Sequence, residues 1–392
     1  MKRLAKMIRL AASNNVSDIH ITTGRPVAFR QNGVIIFQDD SWSHQEIKEL
    51  AENLLAGKDR TVLRTRLSVD FARTVSNVRI RINLFHSLTG LSLAVRLLPG
   101  RVPRIHDLNL HPSLLECSTI TSGLILICGS AGSGKTTTVA AIIEEINTHR
   151  NAHIVTLEDP IEYAFTSKKS LIAQRGLGTH VPSYEQGLLD VLREDPDVIV
   201  VGELREPETI RLTLHAAESG HLVIGSLHAS SAEDALHRIC NSFHPQTQDS
   251  VRNQIASTLT FLVIQKLVFL HRLNYRVPLL SILKGTQSVK SMIRDNRLMQ
   301  IENAILTGKE EGMFSTDQYR SYLDNRSDFV PPAAVFAPPE PDHPSTRAPS
   351  IDPPSGLSAK DSIEDEFEAI LEIDEQATLK ELIEDADNLL RR

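Results

Sequence analysis

The sequence predicts an α/β fold in which a mostly parallel sheet carries the chemistry and a smaller α/β unit precedes it. Three observations predict it. Leu124–Cys128 is a short apolar run feeding Gly129-Ser-Ala-Gly-Ser-Gly-Lys-Thr136, followed by helical spacing at Val139, Ile142, Ile143 and Ile146. Residues 108–245 repeat a strand-then-helix rhythm, which implies a parallel sheet covered on both faces. Residues 1–100 instead hold short alternating runs and helices with hairpin punctuation.

The expected organisation is 1–100, a small α/β domain; 101–326, the sheet domain with a helical C-terminal part; 327–360, a proline-rich linker; and 361–392, an acidic amphipathic helix. The first ten residues are basic, with apolar positions at Leu4, Met7, Ile8 and Ala11, so an amphipathic helix on its own domain is expected. Lys6 and Arg9 interrupt what a signal peptide would need as an apolar core. Asp18–Thr23 alternates as a strand, and Val27–Phe37 reads as two strands around Asn32-Gly33. Ser43–Leu55 and Asp59–Leu67 read as helices, Val78–Phe85 and Leu91–Leu98 as strands. In Val78–Phe85, Arg79, Arg81 and Asn83 alternate with apolar residues, which leaves one face basic. Pro99, Gly100 and Pro103 mark a linker.

Beyond the glycine loop, His153–Leu157, Val198–Val201 and Leu222–Leu227 read as strands, Ser183–Arg193 and Glu206–Glu218 as helices. Residues 246–326 read as mostly helical, including Gln248–Phe269, Thr286–Ile293 and Met299–Leu306. Residues 330–358 hold nine of the nineteen prolines and read as an extended, disordered tether. In 361–392, Ile363, Phe367, Ile370 and Leu371 share a face, as do Leu379, Leu382, Ile383, Ala386 and Leu389. Such a helix either docks into a partner's groove, folds back on its own core, or pairs with a neighbouring subunit.

Composition narrows the field. A net charge of −7 and few aromatic residues argue against a nucleic-acid binder. Cys117, Cys128 and Cys240 form no C-x-x-C pair, which disfavours zinc and disulfide frameworks and fits a reducing cytoplasm. The apolar runs are too short to cross a bilayer.

The chemistry concentrates at strand ends. Strand, glycine loop and helix in this order form a phosphate-binding loop, in which Gly129, Ser130, Ala131, Gly132, Ser133, Gly134, Lys135, Thr136 and Thr137 bind the nucleotide. Lys135 reaches the β- and γ-phosphates, and the Thr136 hydroxyl ligates Mg²⁺, so ATP and Mg²⁺ are the expected cofactors. A parallel sheet binds ligands at the carboxyl ends of its strands, which gathers Lys135, Glu158, Asp159, Glu162, Glu203 and His228 along one rim. The usual Asp-Glu strand ending reads Gly202-Glu203, so Glu203 remains to orient or deprotonate water, and Glu158, Asp159 and Glu162 replace the missing carboxylate near Mg²⁺. His228 at a strand end is placed to sense the γ-phosphate; His221, at the other end of that strand, has a less defined role. Arg79, Arg81 and Arg96 form either a solvated strand face or a cationic cluster acting on the phosphates of another subunit.

Several of these segments together resemble one family. Leu157-Glu-Asp-Pro-Ile-Glu-Tyr163 is similar to the Asp box, Leu192–Arg205 to the atypical Walker B segment, and Ala217–His228 to the His box of the type IV pilus retraction ATPases within the secretion ATPase superfamily. Ser17–Ile21 and Arg79–Asn83 resemble that family's PAS-like N-terminal domain. The resemblance runs over about residues 1–326. It implies a PAS-like domain followed by a RecA-like P-loop core with C-terminal helices. It also implies a homo-hexamer in the cytoplasm, peripheral at the inner-membrane base of a pilus or secretion machine and working with an inner-membrane platform protein. It further implies Glu203 as the catalytic glutamate, Glu162 with Glu158 and Asp159 at Mg²⁺ and water, His221 and His228 as nucleotide sensors, and Arg81 and Arg96 as arginines lent by the N-terminal domain.

Two departures qualify the match. The family's Ala-Ile-Arg-Asn-Leu-Ile-Arg-Glu segment reads Ser288-Val-Lys-Ser-Met-Ile-Arg-Asp295, and the tether with its acidic helix has no counterpart in the family core. Three scattered cysteines exclude the four-cysteine zinc subdomain of extension and type II secretion ATPases. The leading expectation is pilus retraction, ahead of a secretion or conjugation traffic ATPase, a nucleic-acid translocase, and an ATP-gated docking protein with little turnover.

Overall fold

The structure is a computed structural model that describes residues 1–331 except 15, 32, 33 and 99. All of these lie in one compact unit, Met1–Glu340. The residues read as tether and acidic helix from 332 onward fall outside those described, as does the Asn32-Gly33 turn.

Helix α1 (Lys2–Ser13) buries Leu4, Met7, Ile8, Ala11 and Ala12, the face read from its spacing. It packs with α2 (His44–Leu54) and α3 (Gly57–Arg66) against a six-stranded sheet. That sheet comprises β1 (Val16–Thr22), β2 (Pro26–Gln31), β3 (Val34–Ser41), β4 (Ser68–Val75), β5 (Val78–Ser87) and β6 (Gly90–Leu97) in the order β3-β2-β1-β6-β5-β4. Ser43 and Glu46 close a reciprocal capping box at the start of α2. Every pairing is antiparallel, and β5 buries Val78, Ile80, Ile82 and Leu84 while Arg79, Arg81 and Asn83 stand on the half-buried face. Strand β4 escaped the sequence reading because its polar residues outnumber Val69, Phe71 and Val75, the apolar positions it buries.

The second sheet starts at β7 (Gly123–Cys128), buried along its whole length. The chain continues through α4 (Lys135–His149), β8 (His153–Glu158), β9 (Leu171–Gly176), α5 (Tyr184–Val191), β10 (Val198–Val201), α6 (Pro207–Glu218), β11 (Leu222–Leu227) and α7 (Ala232–Asn241). It ends with α8 (Gln248–Thr258), β12 (Leu259–Leu270), β13 (Tyr275–Lys284), α9 (Gln287–Arg294), α10 (Ile301–Thr307) and α11 (Thr316–Asn325). The strand order is β13-β12-β7-β11-β10-β8-β9, parallel except for the β12–β13 pair. Leu124, Leu126 and Cys128 of β7 enter one core and Ile125 and Ile127 the other, so the sheet is covered on both sides. Helix α4 is buried nearly all round, from Thr138 to Asn147, rather than along the single stripe its spacing predicts.

The helix expected over Gln248–Phe269 is a correction. Helix α8 stops at Thr258, and the chain runs on as a twelve-residue strand. Leu262, Val263 and Ile264 are buried at consecutive positions between β7 and β13, which period 3.6 does not produce but a strand covered on both faces does. Residues 246–326 therefore extend the sheet by a hairpin as well as adding helices. The division drawn at residue 100 falls between the end of β6 and the start of β7.

Candidate nucleotide site

The carboxyl ends of β7, β8, β10 and β11 open onto one cavity of about 570 Å³, within the usual range for small-ligand sites. Lys135, Thr136, Glu158, Asp159, Glu162, Glu203 and His228 all line it, and Arg81 reaches it from β5. The rim expected from the strand pattern is therefore assembled by the fold, with a cationic side chain from the other sheet added.

The loop after β7 is shaped by contact from below. Gly129 has φ +152°, and a Cβ there would sit 2.4 Å from the Gln265 carbonyl oxygen and 2.6 Å from Ser133 Oγ. Gly134 caps α4 in the left-handed region at φ 89°. Lys135 Nζ donates to the carbonyls of Gly129 (2.9 Å) and Ser130 (3.1 Å), and burial lowers its pKa. Ser130 and Ala131 are exposed beside it. Ser133 Oγ is buried with no partner among the described residues. Tyr163 donates its hydroxyl to Thr137 Oγ1 at 3.0 Å, which ties the first turn of α4 to the 158–163 segment.

At the end of β8, Glu158 Oε1 accepts from Thr156 Oγ1 (2.7 Å) and Gln174 Nε2 (3.1 Å). Burial raises the Glu158 pKa against these bonds. Burial also raises that of Glu162, opposed by the charges of Arg81 and Arg96 and by a hydrogen bond to the Thr136 hydroxyl. At the end of β10, a Cβ on Gly202 would meet Tyr184 OH at 2.9 Å and the Leu157 carbonyl oxygen at 3.1 Å. A side chain at this position would therefore have to displace the Tyr184 hydroxyl and press on the Leu157 carbonyl, so Gly202 sits in a tight spot between β8 and α5. Glu203 Oε1 lies 2.7 Å from Arg205 Nε and 3.2 Å from His228 Nε2. Strand β11 thus delivers His228 to the site.

His221 is not delivered. It precedes the opposite end of β11, about 20 Å of strand away, and its Nδ1 lies 2.9 Å from the Ala216 carbonyl oxygen. It lies in the α6–β11 turn and does not line this cavity. Arg81 forks onto Asp70, with Nε to Oδ2 at 2.9 Å and Nη2 to Oδ2 at 2.6 Å, while facing Glu162 and Asp159 electrostatically. Arg96 stands opposite Arg81 in the β5–β6 register and donates from Nε to Asp18 Oδ1 at 2.8 Å. It does not line the cavity, although its charge reaches Glu162.

Sequence reasoning missed Tyr184, Arg205 and Gln265. Arg205 sat two residues from Glu203, and its spacing was the available signal; Gln265 was hidden by the helix assigned to its strand. The donor set fits a nucleoside triphosphate with Mg²⁺. It offers a curled loop at a helix N-terminus, an unpartnered buried hydroxyl at Ser133, a lysine held only by carbonyls, and a hydroxyl beside half-buried carboxylates.

A strand-ordered P-loop core that takes an arginine from a preceding antiparallel sheet defines the class, and comparison with known proteins gives the family. The model of the type II/IV secretion system protein family matches residues 1–311. The uncharacterized protein YggR of Escherichia coli K12 is 40% identical over 316 residues, 80% of this chain and 96% of that protein. The twitching motility protein of Neisseria gonorrhoeae is 39% identical over 293 residues, 74% of this chain and 78% of that protein. The crystal structure of the pilus retraction motor PilT with bound ADP superposes with a TM-score of 0.72 at 36% identity, covering 81% of this chain and 96% of that one. The chain belongs to the type II/IV secretion system protein family, and within it stands with the type IV pilus retraction ATPases.

Proposed function

We propose that this chain is a motor ATPase that hydrolyses ATP to power pilus retraction, working as a homo-hexamer on the cytoplasmic side of a pilus base. The observation that carries the reading is the single cavity shared by the phosphate loop, Glu203, His228, the 158–162 carboxylates and Arg81. The retraction motor's likeness to this chain, over nearly its whole length, supplies the direction of work.

In this reading the loop amides and the α4 N-terminus bind the phosphates. Lys135 leaves the Gly129 and Ser130 carbonyls for the β- and γ-phosphates. Thr136, Glu158 and Asp159 would hold Mg²⁺, which neutralises charge on the transferring group. Glu203, freed from Arg205 and His228, orients and deprotonates the attacking water, and Glu162 fixes the Thr136 hydroxyl and the water network. His228, within reach of Glu203, registers whether the γ-phosphate is present. Arg81 supplies positive charge from the N-terminal sheet, and Arg96 supports it from the neighbouring strand. The reading includes peripheral attachment to an inner-membrane platform protein, with residues 361–392 as a further docking segment.

Secretion traffic is the second reading. The altered 288–295 segment favours it. Deleting the gene in its host decides between the two. Excess surface pili with lost twitching are expected; normal pilus numbers with lost secretion overturn the retraction reading.

A further inference from the structure

Gln265 is 1% exposed, lies in β12 outside every motif named above, and hydrogen-bonds both the phosphate loop and the helix that follows it. Its Nε2 donates to the Ser133 carbonyl oxygen at 2.8 Å. Its Oε1 accepts from Thr138 Oγ1 at 2.8 Å, and Thr138 is itself 1% exposed. Its own carbonyl oxygen lies 2.4 Å, and its Nε2 2.9 Å, from where Cβ atoms of Gly129 and Gly134 would stand. Strand β12 pairs in parallel with β7, with Ile264 opposite Cys128, so this side chain emerges where the loop leaves the sheet.

We propose that Gln265 is the positioning residue that holds the loop in its phosphate-binding shape. The inference rests on the nucleotide reading above. The Ser133 carbonyl only accepts and the Thr138 hydroxyl here donates, so the partner between them must offer one donor and one acceptor in a fixed spacing, which a primary amide does. Both partners are main-chain or first-turn groups of the loop and α4, and neither is a group that touches phosphate through this bond. The amide therefore acts through the loop: it fixes the Ser133 peptide and the start of α4 so that their N–H groups converge before a ligand arrives. Without it the loop must be ordered on binding, and affinity falls in proportion to the lost population of the competent shape. The interaction is made alike in ground and transition states, so its loss raises KM and Kd and spares kcat.

The test uses the full-length chain, binding of a fluorescent ADP analogue with Mg²⁺, and steady-state ATP hydrolysis. Gln265→Met keeps the volume and removes both amide groups. It should weaken ADP binding about tenfold and raise KM for ATP to match, with kcat at saturation within about threefold of wild type. Thr138→Val removes one of the two bonds and should weaken binding about threefold, and the double variant should be no weaker than Gln265→Met alone because both act through one amide. Gln265→Met that melts at lower temperature but binds ADP as wild type does overturns the proposal, since a role in packing alone would give that result. If Gln265→Met does not fold, Thr138→Val decides, and unchanged affinity there also overturns it. Wild-type chain that binds ADP no better than Lys135→Ala would instead refute the nucleotide reading beneath the proposal.

Discussion

Arg81→Ala separates a site completed by the N-terminal sheet from one confined to the P-loop core. Arg81 lines the cavity, its charge opposes the burial-driven rise of the Glu162 pKa, and its guanidinium is held by a fork onto Asp70. An arginine that meets developing phosphoryl charge is worth about 10³–10⁵ in rate. Arg81 shares its charge with Asp70, and both side chains are more than a third exposed, at 36% and 39%, which sets the expectation at the low end. The alanine variant should lose about 10³ in kcat. As a structural ion pair the same contact contributes about 0–1 kcal/mol, so the melting temperature should fall by about 2 °C or less. Arg81→Lys keeps the charge but not the fork, and it should recover little. The assay is steady-state ATP hydrolysis with ADP affinity and a thermal melt on the same preparation. A folded Arg81→Ala protein with kcat within about threefold of wild type refutes the argument that the N-terminal sheet completes the site.

Gly129→Ala places a methyl group 2.4 Å from the Gln265 carbonyl oxygen, and the loop must shift to admit it; ADP binding should weaken about tenfold or more, read by fluorescence titration. Gly285→Ala puts a Cβ 1.9 Å from the Leu259 carbonyl oxygen at the base of the β12–β13 hairpin, and it should cost about 3 kcal/mol in denaturant unfolding. His111, packed in tilted and edge-on contacts with Phe314, Tyr319 and Tyr322, has its pKa lowered by burial, so its contribution to stability is complete above the ordinary histidine pKa near 6.5 and is lost as pH falls through that value toward the lower folded one. His111→Asn keeps a cap for the turn at Pro112–Ser118 and removes the titration, so unfolding curves from pH 7 to 5 should show a shallower acid slope than wild type.

The site was more legible than the sheet that supports it. Lys135, Glu158, Glu162, Glu203 and His228 each lie at or shortly beyond the carboxyl end of an apolar strand run, and the rule that parallel strands present ligand groups there needed nothing but that pattern. The hairpin β12–β13 was not legible, because Phe261–Ile264 is an apolar run buried at every position, and such a run has no period to distinguish strand from helix. Losing the strand lost Gln265, whose partners lie 132 and 127 residues away in the chain. Gly202 shows the converse: its identity was plain in the sequence, but its tight surroundings, with Tyr184 OH and the Leu157 carbonyl close to the Cβ position, exist only in three dimensions. His221 was drawn toward the site by its motif and stands at the far end of the strand, where its Nδ1 meets the Ala216 carbonyl.

The claim that ATP turnover at Glu203 drives retraction is tested most directly by single-pilus mechanics. In a strain whose only copy carries Glu203→Gln, pili held by a bead in an optical trap should extend and never pull back, while the wild-type copy restores retraction. Retraction by the Glu203→Gln strain at the wild-type frequency and speed would contradict the account.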